Sequence, residues 1–201
     1  TELIDGGDRM VAWKDGDYEI EIGDGATSLI KVSGTKSIPL QKDWTLSFPA
    51  GWDAPDSIKL DRVGPWSEMP NNSVRHFSGT ATYVTTVEIE SIDRDDRYML
   101  DLGQIGNIAK ITVNGNESAV LWTWPFRADI TDDLKQGENS VSIAVTNTWH
   151  NRLVLDANLA PDRRRTWTIS GPPKDSPLEF SGMGPNVLLQ RGKVVTLEAA
   201  D

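Results

Sequence analysis

Two segments of this sequence combine flat aromatic rings with planar hydrogen-bonding groups. TNTWHNRLVLD holds Trp149, His150, Asn151, Arg152 and Asp156 within a few residues. GPWSEMPNNSVRHFSG holds Trp66, Arg75 and His76. Sugar recognition uses this mixture, because the C–H face of a pyranose stacks on an indole while hydroxyls take paired bonds from Asn, Asp and Arg. The same residues have plainer uses: Arg152 and Asp156 as a structural ion pair, Trp149 closing a core, His76 bonded locally in a loop. A further pair, Trp122 and Trp124 in LWTWPF, is two residues apart, so a strand would put both on one face. Phe126 continues that parity, which favours burial.

Catalytic constellations are harder to assemble. There is no cysteine, which excludes thiol nucleophiles, disulfides and zinc–thiolate sites. No G-x-S-x-G turn is present for a serine nucleophile. The 2 histidines have no zinc-ligand spacing. Glycoside hydrolysis needs two carboxylates across the scissile bond. The adjacent pairs Asp95-Asp96 and Asp132-Asp133 stand in turn-like segments where solvated acids are expected. His76 with Tyr83 or Tyr98 would supply the acid–base pair of a β-sandwich lyase, against the local-bond reading of that histidine. Asp93-Arg94-Asp95-Asp96 and the acids after Ile130 offer the oxygen chemistry of a structural calcium, without EF-hand spacing.

The elements that must position these groups are strands. Alternation and turn signals dominate, and helical periodicity is nearly absent. Residues 9–33 read as a three-stranded meander with Asp15-Gly16 and Gly23-Asp24-Gly25 turns. DWTLSF, DSIKLDRV, ATYVTTVEIE, RYMLDLG, IAKITVNG, ESAVLW, NSVSIAVTNTW, TWTI, NVLLQ and VVTLEA follow as strands. Asn114-Gly115 is the sharpest hairpin signal, and 129–137 holds one helical turn ended by Gly137. About ten short strands with regularly spaced turns predict an all-β sandwich. The expected division is a β-meander over 1–40, an appendage or remnant of a preceding domain, and the sandwich over 41–201.

A formal charge of −10, from 30 acidic and 20 basic residues, opposes nucleic-acid binding and favours neutral or cationic partners. No apolar run approaches the ~18–20 residues that cross a bilayer, and no signal-peptide pattern opens the chain.

The block LDLGQIGNIAKITVNGNESAVLWTWPFRADITDDLKQGENSVSIAVTNTW resembles the sugar-binding jelly roll, or galactose-binding-like fold, of β-galactosidase-type glycoside hydrolases. WTLSFPAGWDAP, HFSGTATY, LWTWPF, TNTWHNRLVLD, RRTWT and FSGMGPNVLL are similar to the C-terminal region of bacterial α-L-rhamnosidases of glycoside hydrolase family 106, over about residues 11–190. That resemblance implies a secreted or periplasmic domain without the catalytic barrel, which binds plant or microbial polysaccharide or buttresses the catalytic domain. It implies no organic cofactor. A self-standing polysaccharide lyase or hydrolase, and a structural module that docks on a barrel, are the competing expectations.

Overall fold

The computed structural model describes residues 1–4, 9–22 and 26–197. Its first five strands are β1 (Glu2–Ile4), β2 (Arg9–Ala12), β3 (Gly16–Ile22), β4 (Ala26–Val32) and β5 (Lys36–Pro39). Then come β6 (Trp44–Ser47), β7 (Ser57–Leu60), the short helix α1 (Asn72–Arg75), β8 (Thr80–Ile89), β9 (Asp96–Asp101) and β10 (Ile105–Gly106). Next are β11 (Ile108–Val113), β12 (Asn116–Leu121), β13 (Arg127–Asp129) and β14 (Gly137–Thr146). The helix α2 (His150–Ala157), β15 (Gly182–Met183) and β16 (Leu188–Thr196) complete the chain.

The expected all-β sandwich is what forms. One sheet runs β1-β2-β16-β9-β13, with β5 also paired to β16, and the other runs β12-β11-β14-β8-β6-β7. β8 organises the second sheet because TATYVTTVEI alternates: Ala81, Tyr83, Val87 and Ile89 turn inward. It pairs with β14 from Thr80 to Ile89 and with β6 on its other side. Opposite it, Tyr98, Leu100, Ala128 and Leu189 enter the same core from the first sheet. Burying such apolar area is worth about 25 cal/mol per Å2, which makes the alternation decisive for register.

Two hydrogen-bonded corners hold the hairpins. Asn114 and Gly115 both take positive φ, 51° and 89°, as the tight reversal between β11 and β12 requires. Asn139 forms the second of these corners without a left-handed backbone. It lies inside β14, fully buried. Its amide bonds the backbone N–H and C=O of Lys135, the Gly137 carbonyl and the Asn114 side chain. A planar amide can satisfy four partners at once, which explains an asparagine in a core position.

The meander expected over 9–33 does not form as such. β2 pairs with β1 and β16, while β3 and β4 make a separate hairpin. Met10, Ala12 and Val32 pack together in a small second core. The Asp15 carboxylate ties the base of this hairpin by accepting from the Thr35 N–H and hydroxyl. The Gly23-Asp24-Gly25 turn and the last residues of VVTLEA lie outside the described residues. TWTI is not a strand either: residues 164–181 run as an extended loop with bends and turns.

The two carboxylate-rich turns have internal partners. Lys193 Nζ sits 3.1 Å from Asp93 Oδ2 and 2.7 Å from Asp96 Oδ1, so its ammonium occupies the centre of the 93–96 turn. Asp129 Oδ1 accepts from the Thr131 N–H and hydroxyl at the start of the helical turn Thr131–Asp133. Among the described residues no group of three or more His, Cys, Asp or Glu is arranged to hold a metal ion.

Candidate functional site

The segment TNTWHNRLVLD, expected as a loop, is mostly helix. Arg152 and Asp156 stand one turn apart on α2 and form a two-pronged pair, Nε to Oδ2 at 3.1 Å and Nη2 to Oδ1 at 2.7 Å. Both side chains are buried. Asp156 Oδ2 also accepts from the Thr166 N–H at 2.7 Å and from its hydroxyl. Burial of Asp156 raises its pKa, but the bonds from Arg152 and Thr166 outweigh it and hold the carboxyl below its ordinary range. The carboxylate therefore pins the loop after residue 163 to the helix.

The neighbouring polar residues are spent in the same way. Asn151 donates to the Glu179 carbonyl and accepts from the Glu179 N–H, at 2.9 and 2.8 Å, as a strand partner would. His150 Nε2 lies 3.0 Å from the Pro177 carbonyl oxygen, and its Nδ1 lies 3.5 Å from Glu179. Asn158 closes the loop by donating to Val154 and Lys174 carbonyls. Arg165 grips the Asp53 carboxylate and the Gly51 carbonyl, fastening loop 51–53 to the same corner.

This scaffold presents an open apolar groove of about 450 Å3 between Trp149, Leu153, Thr166, Trp167 and Thr168. A smaller cleft of about 200 Å3 continues it past Ala157, Arg164, Gly171 and Pro172. Trp149 is 52% exposed and leans on Trp52, ring centroids 5.7 Å apart. Trp52 in turn meets Phe77 of the core edge-on at 6.0 Å. Trp167 is 80% exposed and forms the far wall. An indole braced from behind and open in front suits stacking on a sugar face.

Structure therefore divides the residues that sequence grouped. Trp149 lines the groove, whereas Asn151, Arg152 and Asp156 are buried and hold its walls, and His150 is engaged with residues 177–179. Trp167 and Leu153 complete the groove. Trp167, expected in the strand TWTI, stands instead in a Gly/Pro-bounded polar loop. The other proposed cluster does not assemble. Trp66 is fully buried against Phe48, Phe77 and Tyr83, so its ring has no face for a ligand. Arg75 is exposed at the end of α1, and half-buried His76 bonds the Asn72 carbonyl through Nδ1 at 2.9 Å.

The lyase-type pairing also fails on access. Tyr83 is buried, its hydroxyl accepts from Met183 N–H at 3.2 Å, and burial raises its pKa far above neutrality. Tyr98 is buried and donates to the Ser91 carbonyl at 3.2 Å. Trp122 and Trp124 correct the burial expectation in the other direction: they are 73% and 78% exposed. β12 is an edge strand that ends at Leu121, so strand parity no longer governs the residues beyond it.

A family model described as glycosyl hydrolase 2 galactose-binding domain-like matches residues 64–175. The chain is 34% identical over 142 residues to a Formosa agariphila protein named "Putative beta-glucuronidase", covering 68% of this chain and 12% of that protein. Among solved structures it is similar to a rhamnosidase from Novosphingobium sp. PP1Y, with TM-score 0.73 and 33% identity over 81% of this chain and 16% of that one. A β-D-glucuronidase of Dictyoglomus thermophilum shares the fold at TM-score 0.55 and 16% identity, over 82% of this chain and 29% of its own. The chain thus spans a small fraction of each relative.

Proposed function

This chain belongs to the glycosyl hydrolase 2 galactose-binding domain-like family, and on that premise we propose that it is a non-catalytic, carbohydrate-binding or supporting domain of an α-L-rhamnosidase-like glycoside hydrolase. The observation that carries the reading is the groove between Trp149 and Trp167, two exposed indoles on a scaffold whose polar groups are already satisfied. A sugar ring enters with its C–H face on an indole, while Thr166, Thr168 and Arg164 supply hydroxyl partners at the rim. Binding of this kind is weak for one sugar unit and accumulates along a polysaccharide. Similarity to the Novosphingobium rhamnosidase supports the finer assignment of the parent enzyme.

The groove is not equipped for hydrolysis. Its one lining carboxylate, Asp156, is committed to Arg152 and Thr166, and a general acid needs the opposite, a raised pKa. The barrel of the parent enzyme, in a secreted or periplasmic protein, would carry the chemistry. A supporting role is favoured by a second observation: Trp122, Trp124 and Val120 are exposed around one edge of the second sheet, which suits packing against a neighbouring domain.

Affinity electrophoresis in gels containing rhamnose-bearing polysaccharide tests the proposal. Retardation that is lost in Trp149→Ala and Trp167→Ala supports the binding reading, and unretarded migration in every gel leaves the supporting role alone. Turnover of an aryl α-L-rhamnoside by this chain would overturn the non-catalytic assignment.

A further inference from the structure

We propose that a second carbohydrate site, for a neutral oligosaccharide, lies on the outer face of the first sheet, apart from the α2 groove. Register defines that face. Leu189 and Ala128 both align with Leu100, and all three are buried in the core. Their neighbours Gln190, Met99 and Asp129 align with one another one residue along, so they stand in a row on the opposite side of β16, β9 and β13. Arg127, paired in register with Asp101, adds a guanidinium to the next row. Adjacent strands are about 4.8 Å apart, so the row spans about 10 Å across the three strands.

An aromatic wall borders the row. Trp13 follows β2, and its ring lies directly over Gly192. A Cβ at Gly192 would come within 2.7 Å of Trp13 Cε3, so the glycine leaves the seat on which the indole rests. Trp13, Met99 and Pro125 form the apolar part of a groove of about 370 Å3, and Gln190, Arg127 and Asp129 form the polar part.

These polar groups keep hydrogen-bonding capacity in hand. Arg127 spends its Nε on Asp101, at 2.7 Å, which orients the fork and leaves its amino groups. Asp129 spends Oδ1 on Thr131 and keeps Oδ2. The Gln190 amide makes no hydrogen bond among the described residues, and neither does the Trp13 indole N–H. Convergent, oriented and unspent donors and acceptors around an apolar wall are the composition of a small-ligand site. The charges choose the ligand. Arg127 is neutralised by Asp101, and Asp129 and Glu2 leave the groove acidic, so a uronate or sulfated sugar is repelled and a neutral one is accepted.

The test is residue-resolved NMR on this chain. Side-chain N–H signals of the 8 tryptophans and of Gln190 are assigned by substitution and followed during titration with L-rhamnose, D-galactose and neutral arabinogalactan oligosaccharides. D-Glucuronate is titrated in parallel. Saturable shifts of Trp13 and Gln190 with a neutral sugar, weaker with glucuronate, are expected. Trp13→Ala should weaken that binding roughly tenfold or more. Gln190→Ala, a surface change that cannot compromise the core, should weaken it roughly three- to tenfold. Signals of Trp149 and Trp167 report the α2 groove independently. Stationary Trp13 and Gln190 signals overturn the second site even where Trp167 moves, and equal or stronger shifts with glucuronate overturn the neutral class.

Discussion

Replacing Asp156 by alanine should remove the central tie of the α2 corner. Four hydrogen bonds end on its carboxylate, two from Arg152 and two from Thr166. Without it, the Arg152 guanidinium stays buried with no counter-charge, since its side chain is only 6% exposed. Stranding one member of a buried pair costs about 3–5 kcal/mol. For a domain of this size that corresponds to roughly 2–4 °C of melting temperature per kcal/mol. Urea unfolding at pH 7 measures the loss. The double variant Arg152→Met with Asp156→Leu removes both charges and should recover most of it. It leaves Thr166 untied, so loop 163–172 should loosen, and sugar binding at Trp167 should fall although stability returns. The acid limb offers a second readout. Because the folded carboxyl titrates below its ordinary value of about 3.9, its contribution is complete at neutral pH and is lost as pH falls through the folded pKa. Asp156→Ala should therefore show a shallower loss of stability on acidification. A cost below about 1 kcal/mol, the range of an exposed pair, or an unchanged acid limb would refute the assignment of Asp156 as the structural tie.

Trp66→Ala should destabilise by about 3–5 kcal/mol by opening a core cavity, measured by urea unfolding, with no separate effect on sugar affinity in whatever fraction remains folded. Gly182→Ala should also be costly, because its φ is 83° and a Cβ would meet the Trp66 indole at 2.7 Å. Thermal melts should place it well below a Gly51→Ala control, whose Cβ meets nothing within 4 Å. Trp122→Ser with Trp124→Ser should change unfolding free energy by no more than about 0.5 kcal/mol each. A large loss would mean that these rings carry packing within the chain.

Much of the sandwich was legible because strand alternation is a local signal. TATYVTTVEI declares which residues face inward, and Asn114-Gly115 declares a reversal, whatever else the chain does. α2 was less legible. The residue just before its start, Trp149, makes no side-chain capping bond, and its stability comes from the buried Arg152–Asp156 pair and from residues 177–181. The residues of TNTWHNRLVLD allow both a sugar-binding and a structural use, and the fold puts Arg152 and Asp156 to the structural one.

Residue identity thus determined that this chain would be an all-β sandwich, and it showed where indoles stand beside planar polar groups. Only the tertiary structure decided which indoles were available. Trp66 and Trp167 both sit in Pro/Gly-bounded stretches, yet one fills the core and the other stands in solvent. The difference lies in what folds over them: Gly182 and Phe77 close on Trp66, while the tie from Asp156 holds the backbone at Thr166 and leaves the next side chain outside. Local sequence specifies direction along a strand, but burial in a loop is a long-range outcome of packing, fixed by partners tens of residues away.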